Sequence, residues 1–150
     1  MPTYLEDLAP GAEFRSAGRT VTESDIMAFA GVSGDFNRLH TDEPWVRENT
    51  PFEGRIAHGL LVLAMSSGLA TPGLDDVEII AYLEETRRFT GPTYPGDTIH
   101  VLCRIDDVRP SGSRPTMGVV SLEVEVRNQR DEVVQSGRDV WLVARRPEGA

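Results

Sequence analysis

The stretch GLLVLAMSSGLA, residues 59–70, is almost free of polar side chains over its first two turns. It is well short of the roughly 20 apolar residues that span a bilayer. It therefore predicts a core helix with neighbours on nearly every side, and the second half of the chain supplies them. In MGVVSLEVEVR, residues 117–127, Val120, Leu122, Val124 and Val126 fall on one face and Ser121, Glu123, Glu125 and Arg127 on the other. That period-two pattern is a strand with one wet side. Ile99, Val101, Cys103 and Ile105 alternate likewise within DTIHVLCRIDDV (97–108), while VEIIAYLEETRRF (77–89) and EVVQSGRDVWLVARR (132–146) add two further strands. The turns TYPGD, PSGSRP and NQRDE separate them, and AEFRSAGRTVT (12–22) predicts a weaker N-terminal strand. The expectation is an α+β chain, residues 1–150 as a single domain, with an antiparallel sheet of about five strands wrapped around one long central apolar helix.

The first half reads as helix and loop. TESDIMAFAGVSG (22–34) opens with Thr22 three residues before Asp25, a capping box with Asp in place of Glu, and Gly31 and Gly34 end the helix. DEPWVREN (42–49) predicts a short helix with Asp42 as cap and Pro44 in its first turn. TPFEGRIAHG (50–59) is loop-like and leads into the apolar helix.

Composition narrows the function. Fifteen basic against 24 acidic residues give a net charge of -9, the wrong sign for a protein held by its overall field to nucleic acid or an anionic membrane. The single cysteine, Cys103, has no partner for an internal disulfide, and MPTYLEDLAPG lacks the basic start and apolar run of a secretion signal. A cytoplasmic protein is expected.

Three groups of residues carry chemistry. Asp35 and His40 lie five apart in GVSGDFNRLHTDEPW (31–45), so they meet only if the loop folds back. Asp35 fits a turn cap and His40 a loop histidine equally well; brought together, a carboxylate and an imidazole sharing a water form a proton shuttle near neutral pH. His58 and Gly59 open the buried helix, whose first N–H groups lack internal partners and are donors for an oxyanion. Ser66 and Ser67 lie inside that helix, where small packing residues are common. Asp35, His40, Asp42 and His58 show no spacing diagnostic of zinc, and no metal is expected. The sequence also lacks a Gly-x-Ser-x-Gly elbow.

The run SGDFNRLHTD (33–42), followed by AHGLL (57–61) and FTGPTYPGDTIHV (89–101), resembles the MaoC-like hydratases, the (R)-specific enoyl-CoA hydratases and dehydratases of the hotdog fold. The resemblance implies that Asp35 and His40 activate the water that adds to C3 of a trans-2-enoyl thioester, giving a (3R)-hydroxyacyl product. It implies that Asn37 braces the loop, that the Gly59 N–H, next to His58, polarises the thioester carbonyl, and that Ser67 aligns with a serine near the site. Which of Asp35 and His40 is the base stays open, since interacting groups titrate as a pair. The family usually places proline after the asparagine, where this chain has Arg38. Arg38, Arg87 and Arg88 are candidates to contact an acidic substrate group or a coenzyme A phosphate. The implied partners are an acyl-CoA substrate, with no cofactor beyond that carrier, and a second copy in a homodimer. A dehydratase subunit acting on an acyl carrier protein, or a hotdog protein that binds acyl-CoA without turnover, are the alternative readings.

Overall fold

The strand that patterning marks most clearly is the middle one. A computed structural model, which describes residues 1–149, places β5 (Met117–Arg127) at the centre of an antiparallel sheet of order β1-β4-β5-β6-β3. The other strands are β1 (Glu13–Arg15), β2 (Arg19–Thr20), β3 (Ile79–Phe89), β4 (Thr98–Pro110) and β6 (Val133–Ala144). The weakly patterned N-terminal segment becomes two short pieces, β1 and β2, both paired with β4. Alternation fixes the register: Val120, Leu122 and Val124 stand opposite Trp141, Asp139 and Gly137, and all point inward. Ile99, Ile105, Val120, Val126 and Val143 are wholly enclosed.

Four helices precede or cross this sheet: α1 (Glu23–Ser33), α2 (Arg38–Thr41), α3 (Glu43–Asn49) and α4 (Gly59–Ser67). α1 starts on the predicted box, with Thr22 Oγ accepting from the Asp25 N–H and the Asp25 carboxylate accepting from the Thr22 N–H. It runs through Gly31 and stops only at Gly34, in the left-handed region at φ 76°. α3 starts, as expected, on Asp42 with Pro44 in its first turn. None of the helices is long and apolar enough to cross a membrane among the described residues.

α4 differs from expectation in two ways. It has nine residues, because the chain leaves the helix at Gly68. It is also not enclosed within its own chain: Leu61, Val62, Met65 and Ser66 are buried against the sheet, but Leu60 is 61% exposed and Ala64 and Ser67 face outward. Hydropathy reports that a surface wants covering and leaves open what covers it.

An ionic cluster fixes the approach to α4. The Glu43 carboxylate on α3 accepts from the Arg55 N–H at 3.0 Å and Nε at 2.9 Å, and from Arg47 Nε at 3.0 Å. The remaining Arg55 nitrogens donate to Glu23 on α1 at 2.7 and 3.0 Å. The Arg55 backbone N–H, followed by the Arg55 and Arg47 side chains, holds the Glu43 carboxyl at about 2.

Two measurements check this account. Leu122 is 1% exposed at the centre of the sheet, so Leu122→Ala is expected to cost about 2–5 kcal/mol in denaturant unfolding. Glu43 titrates lower folded than unfolded, so its contribution is complete above the ordinary glutamate range and disappears as pH falls toward 2. Glu43→Gln is expected to melt below wild type at pH 6, the two curves converging near pH 2; a constant gap would remove Glu43 from the acid response.

Candidate active site

Folding back of the Asp35–His40 loop is the work of α2, a helical turn missed by periodicity because four residues give no period. Asn37 caps it, its Oδ1 accepting from the Leu39 N–H at 3.0 Å, and its own N–H donates to Asp35 Oδ1 at 3.1 Å. Asn37 thus braces the loop without facing the site. The turn brings His40 Nε2 to 3.8 Å from Asp35 Oδ2.

Backbone carbonyls set both imidazoles. His40 Nδ1 lies 2.7 Å from the Ile56 carbonyl oxygen, and a carbonyl only accepts, so Nδ1 carries the proton. The neutral ring then presents the Nε2 lone pair toward Asp35. His58 Nε2 donates to the Asp35 carbonyl at 2.9 Å, which leaves its Nδ1 buried with no partner among the described residues. The His40 and His58 rings stack at 3.7 Å, and Phe29 of α1 packs against His58 at 5.0 Å. One ligand-type atom from each of Asp35, His40 and His58 lies within 4.8 Å of the others. The rings, however, are only 26° from parallel, so their in-plane lone pairs run side by side rather than converge on one ion.

α4 begins beside them. His58 is its N-cap residue, and the Gly59 and Leu60 N–H groups at its positive end meet no acceptor among the described residues. A Cβ on Gly59 would lie 2.7 Å from the Phe89 ring, so any larger residue here would have to displace that ring. The Gly59 carbonyl accepts from Gln135 Nε2 of β6 at 2.8 Å. His40, Gly59, Leu60, Phe89 and Gln135 line a groove of about 700 Å³. Gln135 escaped the reading of the sequence, although it carried a signal: a polar residue in an inward slot of a strand.

The remaining candidates lie elsewhere. Ser67 stands eight residues along α4, about 12 Å from Gly59 by helical rise, and its hydroxyl donates back to the Ala64 carbonyl at 2.8 Å. Arg38 is held by its neighbours: Nε and Nη2 donate to Asp42 Oδ2 at 3.0 and 2.9 Å, and the guanidinium sits 4.8 Å from the Trp45 ring. The Arg87 side chain is withdrawn into the inner face of the sheet, where it pairs with Glu85 at 3.0 Å and Asp139 at 2.7 Å. Arg88, next on the strand, projects exposed from the opposite face. None of the three arginines lines the groove. Burial pushes the Cys103 thiol up to about 11, which leaves it inert as a nucleophile.

The family model for the MaoC like domain matches residues 7–128. Over 148 residues the chain is 30% identical to a 3-hydroxybutyryl-CoA dehydratase of Methylorubrum extorquens, covering 97% of this chain and 87% of that protein. It is 34% identical over 107 residues to an (R)-specific enoyl-CoA hydratase of Rhodospirillum rubrum, covering 71% and 72% respectively. It also matches Protein MaoC of Klebsiella aerogenes at 37% identity, but spans only 29% of that protein's length. Among solved structures, a MaoC-like dehydratase from Rhodospirillum rubrum superposes with TM-score 0.81 at 33% identity, covering 97% of this chain and 99% of that one. A Mycobacterium tuberculosis protein with a double hotdog fold reaches TM-score 0.81 at 20% identity, over 99% of this chain and 46% of that one, and shares the fold. With the family model matched over most of the chain's length and relatives named as hydratases and dehydratases at 30% identity or more over most of their length, the chain belongs to the MaoC-like domain family.

Proposed function

We propose that this chain reversibly adds water to a trans-2-enoyl-CoA to give a (3R)-hydroxyacyl-CoA, without a resident metal or cofactor. The observation that carries the reading is the locked His40 tautomer. With Nδ1 committed to the Ile56 carbonyl, Nε2 and Asp35 Oδ2 are two acceptors 3.8 Å apart, too far for a direct bond and suited to one bridging water. Such a water donates both hydrogens to the pair and turns a lone pair outward. Attack on C3 moves one proton from water to the pair, and a proton returns from the pair to C2. The negative charge that develops meanwhile on the thioester oxygen is met by the Gly59 N–H, a type of donor worth about 2.7–4 kcal/mol at a transition state. The (R) outcome and the coenzyme A carrier are supported by the names of the relatives.

The working unit in this reading is a cytoplasmic homodimer. β3 is an eleven-residue edge strand that exposes Ile80, Tyr82 and Leu83, and α4 exposes Leu60 beside its Phe89 end. Edge pairing of two β3 strands would satisfy their free backbone groups and cover both apolar surfaces.

Purified protein is expected to consume crotonyl-CoA, read as loss of enoyl absorbance, and to yield the (3R) alcohol. Asp35→Asn and His40→Ala should each slow the reaction by about two orders of magnitude or more without unfolding the protein; full activity in either would sink the dyad. Light scattering should give twice the mass of one chain, and Leu83→Arg should halve it.

A further inference from the structure

The outer face of the sheet, turned away from α4, carries a row of alternating charge. Register places Glu13 on β1, Arg104 on β4, Glu123 on β5 and Arg138 on β6 side by side. All four are exposed, and at the spacing of neighbouring strands the row is about 14 Å long. Its signs run minus, plus, minus, plus. The middle two satisfy each other, Arg104 Nη2 meeting the Glu123 carboxylate. Glu13 and Arg138, at the two ends, make no ion pair among the described residues.

A row of four alternating charges is opposite in sign to its own reversal. Consider a second copy stacked back to back on this face, related by a two-fold axis parallel to the strands and midway between β4 and β5. Glu13 of each copy then faces Arg138 of the other, and Arg104 of each faces Glu123 of the other. The unpaired ends become paired. In the next row Arg15 faces Ser136 and Leu102 faces Glu125, so no like charges oppose one another there. Other placements fail: an axis laid along the row sets every charge on its own kind, and moving the first axis by one strand leaves Glu13 or Arg138 without a counterpart. Stacked sheets pack about 10 Å apart, a gap that arginine and glutamate side chains bridge from both sides. Between them the face holds a hollow of about 750 Å³ for those side chains to enter.

Net charge opposes this contact, since two copies at -9 each repel through their overall fields. Salt separates the two effects by range. At about 0.1 M the Debye length is about 10 Å, which confines the repulsion and leaves charges in contact largely unscreened, whereas at about 1 M it is about 3 Å. Exposed ion pairs contribute little individually, so four across the stack make a reversible contact in which sign selects the partner more than it adds strength. Pairing through β3 would lengthen the sheet without covering this face, which stays available in the homodimer proposed above.

We infer that the outer face of the sheet is a docking surface for a second copy of this chain, stacked back to back about a two-fold between β4 and β5, with Glu13 and Arg138 as the pair that specifies it. The inference is independent of the reaction the protein performs.

Sedimentation at high protein concentration tests it. The wild-type mass in about 0.1 M NaCl should be at least about twice its value in about 1 M NaCl, whatever that value is. Arg138→Glu and Glu13→Arg each set like charges opposite one another, so either variant alone should hold the high-salt mass at both concentrations. The two exchanges combined in one chain should restore association. An equimolar mixture of the two single variants should restore it as well, since each then presents only opposite charge to the other at both ends of the row. The neutral Arg138→Gln, a mild change at an exposed site, should weaken association several-fold. A wild-type mass that does not change with salt would overturn the inference, as would single variants that associate like wild type. A mixture that stays apart would also overturn it, by showing that the charges act within one chain and not between copies.

Discussion

Each candidate group takes its position from the point at which α4 begins. The Leu61 and Val62 N–H groups close the first turn onto the His58 carbonyl, Gln135 holds the Gly59 carbonyl from the sheet, and the Ala57 N–H donates to the Thr93 carbonyl just before the helix. Those ties set the helix start, with its free N–H groups, at the groove that Gly59 and Leu60 line, and His58 stacks on His40. The sheet that buries one side of α4 also lowers the local dielectric, and in that setting a helix N-terminus acts on developing charge more strongly than it would in water.

The Asp35–His40 loop is held from the same place by main-chain atoms. Ile56 lends its carbonyl to His40, Asp35 lends its own to His58, and the Ile56 N–H donates to the Leu39 carbonyl. Arg55, immediately before Ile56, is clamped between Glu43 and Glu23, so α1 and α3 both bear on the carbonyl that fixes the tautomer. Imidazole orientation thus depends on where the chain runs and not on which side chain Ile56 carries.

That explains what was legible in the sequence. Alternation marked β5 at its full extent, and cap chemistry marked the starts of α1 and α3, because both signals are local. α2 was not legible, since four residues capped by one asparagine carry no periodicity, and with it went the reason Asp35 and His40 meet. The open side of α4 was hidden for a different reason: an apolar surface records a need for cover without recording whose. The placement of Arg87, Asp139 and Gln135 was recoverable in part. Each is a polar residue in a slot where a strand facing a core calls for an apolar one, and such exceptions are concentrated where a fold gives up packing for another purpose.

Arg38 stands where the family resemblance leads to an expectation of proline, and the loop is held without that ring. A pyrrolidine ring fixes φ by covalent geometry, which no solution condition relaxes. Here two hydrogen bonds to Asp42 and the face of Trp45 do the holding, at a largely exposed site. Exposed ion pairs are screened by dissolved salt, over a Debye length of about 8 Å at physiological ionic strength. The stiffness of the loop carrying Asp35 and His40 therefore rests in part on electrostatics rather than on bond geometry, and it becomes a property of the medium as well as of the chain.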